Sequence, residues 1–289
     1  MIFLILSIAC STAIVLVFKA FSRFGVDTFR AIIVNYFTCV LVGLPLARGS
    51  SLDTAGELGW VPVAVVLGFL FITLFFLIGR TTLTHGVAAA SVSMKLGYVL
   101  PIVLAVAVYG ETLSSWGVVG AAGTVVAVFL TAYRGSRDLE QLASHGWWAP
   151  AVIFVGSGVA DSLVQFAEHR FFPAGGFEAF NIILFGTAGV LGLMFWLVRS
   201  ARRRTWHFPL RDVLGGIALG VPNYGSIYFF LKTLNVPEWE SAFVFPLNNI
   251  GIVVSSALFA FLLFRERLNV VNIAGLLVAV ASIVLLSMR

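Results

Sequence analysis

Charge interrupts this chain so rarely that its apolar residues fall into ten runs of roughly twenty, at about 2–21, 28–47, 59–80, 87–109, 113–133, 149–171, 178–199, 212–234, 239–264 and 269–288. A helix that crosses a bilayer needs about 20 mostly apolar residues. Only helices and closed barrels satisfy their own backbone hydrogen bonds in lipid. The runs are continuous and lack the strict alternation of a barrel strand, so helices are expected. Composition points the same way: 60% of residues are hydrophobic and 11% charged, with a mean hydropathy of +1.03, against about 45–50% and about 25% in a soluble domain. The expected fold class is an all-α membrane protein of ten transmembrane helices, set in the inner cell membrane and crossing it many times. The start, MIFLILSIACSTAIVLVFKAF, has no basic leader and too long an apolar run for a signal peptide, so a retained first span is expected.

The most polar interior stretch, RGSRDLEQLASHGWW from Arg134 to Trp148, leaves five runs on either side. The expected organisation is a first five-helix repeat over 1–134, a polar linker over 135–148 and a second five-helix repeat over 149–289. YGETLSSWGVVGAAG from Tyr109 matches FRERLNVVNIAGLLV from Phe264, pairing Glu111 with Glu266, Leu113 with Leu268 and Gly120 with Gly275 at one offset of 155. FRAIIVNYFTCVLV from Phe29 matches FEAFNIILFGTAGV from Phe177 at an offset of 148. Because five is odd, the second copy enters the membrane from the opposite side. The halves then form an inverted repeat of two five-helix bundles, the architecture of many secondary transporters, with the substrate site near the midplane between the copies.

With its acidic turn before the last helix of each half, the chain resembles the drug/metabolite transporter superfamily, EamA type. The residues that carry the resemblance are Gly110-Glu111, Leu113 and Gly120, and Arg265-Glu266, Leu268 and Gly275, with Arg265 standing where the first half has glycine. The resemblance implies a substrate-translocating carrier with a central cavity and with the fifth and tenth spans at the periphery.

Polar residues inside the runs mark the candidate site. A Lys or Asp at mid-bilayer costs about 2.5–3.5 kcal/mol on a translocon scale, so each must be paired or wet. Lys95 is the only charge between Gly86 and Tyr109. Helical spacing sets it on one face with Ser91 and Tyr98, and Gly97 and Pro101 can loosen the helix beside it. In the sixth run Ser157, Asp161, Gln165 and Glu168 follow at spacings of 4, 4 and 3. A Lys95–Asp161 pair, direct or through water, is the economical expectation, weighed against a static ion pair between helices. Pro222, Asn223 and Tyr224 in the eighth run, and Pro246, Asn248 and Asn249 in the ninth, combine helix interruption with hydrogen-bonding groups; interhelical amide bonding is the plainer reading. Asn35 and Tyr36 are weaker candidates.

Other classes of function find little support. Cys10 and Cys39 lie in apolar runs and the four histidines have no ligand spacing, so neither a metal nor another cofactor is expected. Glu111 and Glu266 each precede a helix start, where a carboxylate suits the exposed N–H groups. The net charge of +5 fits the cytoplasmic face of a membrane protein better than nucleic acid. Thirteen Lys and Arg lie by the odd-numbered links and four on the other side. That places both termini outside the cytoplasm, whereas the resemblance implies termini within it, and the orientation stays open. GxxxxGK[ST] is absent, so this chain alone does not drive transport with ATP. The expected function is a secondary transporter, a permease or exporter, moving a small polar or amphipathic metabolite by alternating access. An amino acid or other organic anion would suit Lys95, and a proton or sodium ion is the natural coupling partner. Its partners are that solute and membrane lipid, as monomer or homodimer, and it is not expected to be an enzyme. The alternatives are an intramembrane acid–base enzyme using Asp161, Glu168 and His169, and a non-transporting assembly subunit.

Overall fold

The computed structural model describes residues 1–46, 58–100, 114–133, 148–171, 177–204, 206–234, 241–265 and 268–287. These form ten α-helices and no strand: α1 (Ile2–Phe24), α2 (Thr28–Leu46), α3 (Val61–Thr84), α4 (Val87–Leu96), α5 (Ser115–Ala132), α6 (Trp148–Phe171), α7 (Phe177–Arg203), α8 (Leu210–Leu234), α9 (Ser241–Phe264) and α10 (Val270–Ser287). Each coincides with one apolar run. Six of them, α1, α2, α3, α7, α8 and α9, are long and apolar enough to cross a membrane. The protein is thus helical and membrane-embedded.

Local chemistry sets the helix ends. Gly25 takes the left-handed conformation at φ 62° and closes α1 by donating its N–H to Phe21 O; Gly86, at φ 95°, turns the chain from α3 into α4. Both values suit glycine and few other residues. Ser114 caps α5, its Oγ accepting from the Gly117 N–H at 3.1 Å. Asn269 caps α10, its Oδ1 accepting from the Asn272 N–H at 2.8 Å, while Asn272 Oδ1 accepts from the Asn269 N–H at 3.2 Å. Glu111 and Glu266, the carboxylates expected there, lie outside the described residues. Both α8 and α9 run on as helix through Pro222 and Pro246. α4 ends earlier than its apolar run: Gly97 and Tyr98 form a turn after Leu96, and 101–113 lie outside the described residues.

Packing alternates between the halves of the chain. α5 lies along α10; α2 packs on α8 and α7; α3 on α7 and α6; α1 on α8 and α9; and α4 on α6 and α9. Ile14, Phe18, Tyr36, Phe75, Phe185 and Tyr224 belong to the larger core, and Val92, Leu96, Val253, Ala279 and Ile283 to a second. At one end of the bundle the start of α8 is tied to the link between α1 and α2. Asp212 is fully buried, bonded to Arg30 Nε at 2.5 Å and accepting the Asp27 N–H at 2.9 Å. Arg30 also donates to His207 O at 3.1 Å. At the opposite end the starts of α3 and α7 meet, with Trp60 and Phe180 ring centroids 6.1 Å apart.

Candidate functional site

The charged residues are brought together by the crossing of α4 and α6. A Cβ on Gly97 would stand 2.7 Å from Phe154 O and 2.8 Å from Gly158 N; one on Gly158 would strike Gly97 O and come within 2.7 Å of Leu100 Cβ. Two glycines thus let the backbones touch, as small residues do between membrane helices. Lys95 precedes this contact by two residues and Asp161 follows it by three. Lys95 also sits in the last turn of α4, where exposed carbonyls and the negative dipole end favour a cation.

Asp161 differs from the exposed apolar residues of its helix. Trp148, Val152, Val155, Val159 and Phe166 are exposed and form one apolar stripe, the side turned to lipid. Asp161 comes two residues after Val159, about 200° around the helix, on the side of buried Ser157. It is nonetheless exposed, although protein atoms enclose it deeply. Lys95 is enclosed too and half-buried. The two charges lie within electrostatic reach of one another, and of the two forms expected of their pair the direct one is not made: the ion pairs within 4.0 Å among the described residues involve Arg30, Arg211, Asp27 and Asp212. The Gly97 contact fixes the backbones and leaves these side chains apart.

Lys95's neighbours on its helix are anchored in the second half. Ser91 is buried; its Oγ accepts from Ser256 Oγ of α9 at 2.8 Å. Tyr98 donates to Ile283 O of α10 at 3.4 Å. Of the remaining expected site residues, the side chains of Gln165 and Glu168 lie outside the described residues.

Asn223, Tyr224 and Asn248 form a different cluster, neutral and buried, in which Asn35 Nδ2 is left without a partner. Asn223 Nδ2 donates to Asn35 Oδ1 at 3.1 Å. Ser7 Oγ lies 3.1 Å from both Asn248 Oδ1 and Ser226 O. Tyr224 is buried between Tyr228 and Phe185, its centroid 6.3 and 6.4 Å from theirs; Asn249 is buried as well. The amides of Asn223 and Asn248 serve interhelical bonding, the plainer of the two expectations. Sequence reasoning misses Ser7, Ser256 and the Thr12–Ser255 contact at 2.6 Å; the hydroxyls Ser7, Ser11 and Thr12 clustered in LSIACST, the first two four residues apart, are the signal that points to this stretch.

No protein-family model matches the chain. It is 24% identical over 285 residues to an uncharacterized protein of Haemophilus influenzae (strain ATCC 51907 / DSM 11121 / KW20 / Rd), covering 97% of this chain and 95% of that one. A solved structure described only as the crystal structure of a protein superposes with a TM-score of 0.59 at 18% identity, over 98% of both chains. That likeness carries the fold from end to end.

Proposed function

We propose that the chain is a ten-span secondary carrier of the EamA type, an inverted repeat of two five-helix units around a wet central site, moving a small polar metabolite by alternating access. The observation that carries this reading is Asp161, an enclosed yet reachable carboxylate on the side of α6 away from lipid. A passive assembly subunit has no use for such a charge, and an acid–base enzyme leaves the duplication unexplained.

Packing supports the repeat. A Cβ on Gly220 of α8 would meet Thr38 Cβ of α2 at 2.6 Å and Asn35 O at 2.7 Å; one on Gly68 of α3 would meet Thr187 Cβ of α7 at 2.8 Å and Leu184 O at 2.9 Å. Gly43 of α2 faces Tyr224 of α8, as Gly192 of α7 faces Ile72 of α3. A shift of 149 carries each α2 residue to its α7 twin, and a shift of 152 carries α3 to α8. This is one residue more than the 148 that matching letters suggest. Gly120 meets Leu286 N and Gly275 meets Thr131 N at the offset of 155 read from sequence. For α1 and α6 the shift is again 149: Ser7 reaches Ser226 as Gly156 meets Leu74, and Ile8 faces Gly251 as Ser157 faces Gly97. That last pair sets 154 between α4 and α9. Lys95 and Asp161 then have Asn249 and Thr12 as twins, so only one of the two equivalent crossings is charged.

Departures from the repeat support a hollow open to one side. α1 packs on α3 and α4, and α2 on α3; the twin pairings of α6 with α8 and α9, and of α7 with α8, are not packed helix pairs among the described residues. In α3, Leu74, Phe75, Leu77, Ile78 and Gly79 are buried; their twins Ser226, Ile227, Phe229, Phe230 and Leu231 are all half-exposed. This part of α8 is therefore left uncovered at the end of the bundle where α7 begins, whereas its counterpart in α3 is packed at the Arg30 end.

An ammonium and a carboxylate that do not bond each other directly can take the opposite charges of one solute, so a zwitterionic amino acid is the best-matched substrate and an organic anion the next. Uptake of a labelled amino acid and organic anion panel into proteoliposomes tests this. Wild-type protein should move at least one member, and Lys95→Ala and Asp161→Asn should each lower that flux tenfold or more. Flux undiminished in both variants would remove these residues from the site.

A further inference from the structure

The closed end shows what closes it, and the repeat then names the parts of the gate at the open end. At the Arg30 end α3 seals against α1 and α2. Gly79 leaves room only for Phe18 Cε1 and Thr28 Cγ2, which a Cβ would meet at 2.8 and 2.7 Å. Phe18 meets Phe75 and Phe29 meets Phe76, each pair with centroids 5.8 Å apart. By the shifts of 149 and 152 the twin of Phe29 is Glu178, of Phe76 Tyr228, of Phe75 Ile227 and of Gly79 Leu231. So where the shut end has a pair of phenylalanine rings, the open end has a carboxylate and a phenol.

That carboxylate is incomplete as it stands. Glu178 Oε2 is buried with no hydrogen-bond partner, a state that costs the full desolvation of the atom. Tyr228 is half-exposed, stacked on Tyr224 and lying beneath the ammonium of Lys232, 5.5 Å from its ring centroid. We propose that Glu178 and Tyr228 form the gate of the open end: when α6 and α7 move onto α8, the Tyr228 hydroxyl donates to Glu178 Oε2, as the Phe76 ring now packs on Phe29. The unpaired oxygen marks a contact that belongs to the other conformation, and the bond holds that conformation while the Arg30 end opens. This proposal rests on the carrier reading.

Val15 and Val164 are twins and report the two ends. Val15 is fully buried in the shut end, whereas Val164 is half-exposed. Single cysteines at these positions, in a chain with Cys10 and Cys39 replaced by alanine, are reacted with a membrane-impermeant maleimide on protein in lipid nanodiscs. Val164→Cys should react quickly and Val15→Cys slowly, through the alternate conformation. Tyr228→Phe keeps the ring under Lys232 and removes only the hydroxyl; Glu178→Leu removes the acceptor. Each should slow Val15→Cys about fivefold or more, the two together no further, and Glu178→Gln, which retains a carbonyl acceptor, should restore most of the rate. An unchanged Val15→Cys rate in both variants, or no reaction there in the parent, overturns the gate. If Val164→Cys still reacts, the hollow stands; an inert Val164→Cys would instead remove the hollow and the carrier reading with it.

Discussion

Two kinds of polar residue lie inside the bundle, and they differ in whether their bonds are complete. Asp212 is complete: fully buried, it holds Arg30 and the Asp27 N–H. Losing the carboxylate strips a charge-assisted bond from Arg30 and weakens the one to the Asp27 N–H, at about 1.5–3 kcal/mol for a hydrogen bond to a charged group. Asp212→Asn should therefore lower the thermal midpoint in detergent markedly, and Arg30→Lys, which keeps the charge but loses the planar fork, should fall between it and wild type. Asn223→Ala should lower the midpoint without abolishing transport, because its amide is spent on Asn35. Lys95 and Asp161 are incomplete, and their substitution should change flux more than stability. The sequence makes both charges conspicuous, since an apolar run tolerates few. It does not show that the amides of Asn223 and Asn248 are already bonded, because Asn35 and Ser7 lie 188 and 241 residues away along the chain.

Helices in this molecule are placed by apolar length and joined by the absence of side chains. All ten runs are legible because charge interrupts them so rarely, and all ten contain a helix, six of them long and apolar enough to cross a membrane. The break after Leu96 is foreshadowed by Gly97, but the greater use of that glycine is its contact with Gly158, which only the assembled crossing reveals. The register that packing supports between α2 and α7 in the proposed repeat differs by one residue from the matched letters for a related reason. What recurs at Gly43 and Gly192, or Thr38 and Thr187, is the space a residue leaves, and matching Phe29 to Phe177 by letter overlooks it. Gly158→Val would force α4 and α6 apart by striking backbone, which cannot rotate away. It should abolish transport and reduce folded yield, as judged by gel filtration in detergent. Gly186→Ala, where a Cβ would find only Val40 Cγ2 at 3.9 Å, should be tolerated in both measurements.

As a whole the molecule couples a symmetric set of packed pairs to an asymmetric set of open ones. The linker and the matched motifs are what the proposed five-plus-five organisation rests on in the sequence. The inequality of the two ends could not be read there, because the packing of α1 on α3 and the lack of a packed α6–α8 pair among the described residues depend on contacts between distant runs. Thr12 and Asp161 condense this difference into one twin pair: Thr12 is buried and bonded to Ser255, whereas Asp161 is exposed within the bundle. Maleimide reactivity of Thr12→Cys and Asp161→Cys, each in the chain with Cys10 and Cys39 replaced by alanine and held in nanodiscs, therefore tests the wet hollow most directly. Asp161→Cys is expected to react with the impermeant reagent at least tenfold faster than Thr12→Cys. An Asp161→Cys as inert as Thr12→Cys would mean that the bundle is dry at its centre, and would contradict the carrier.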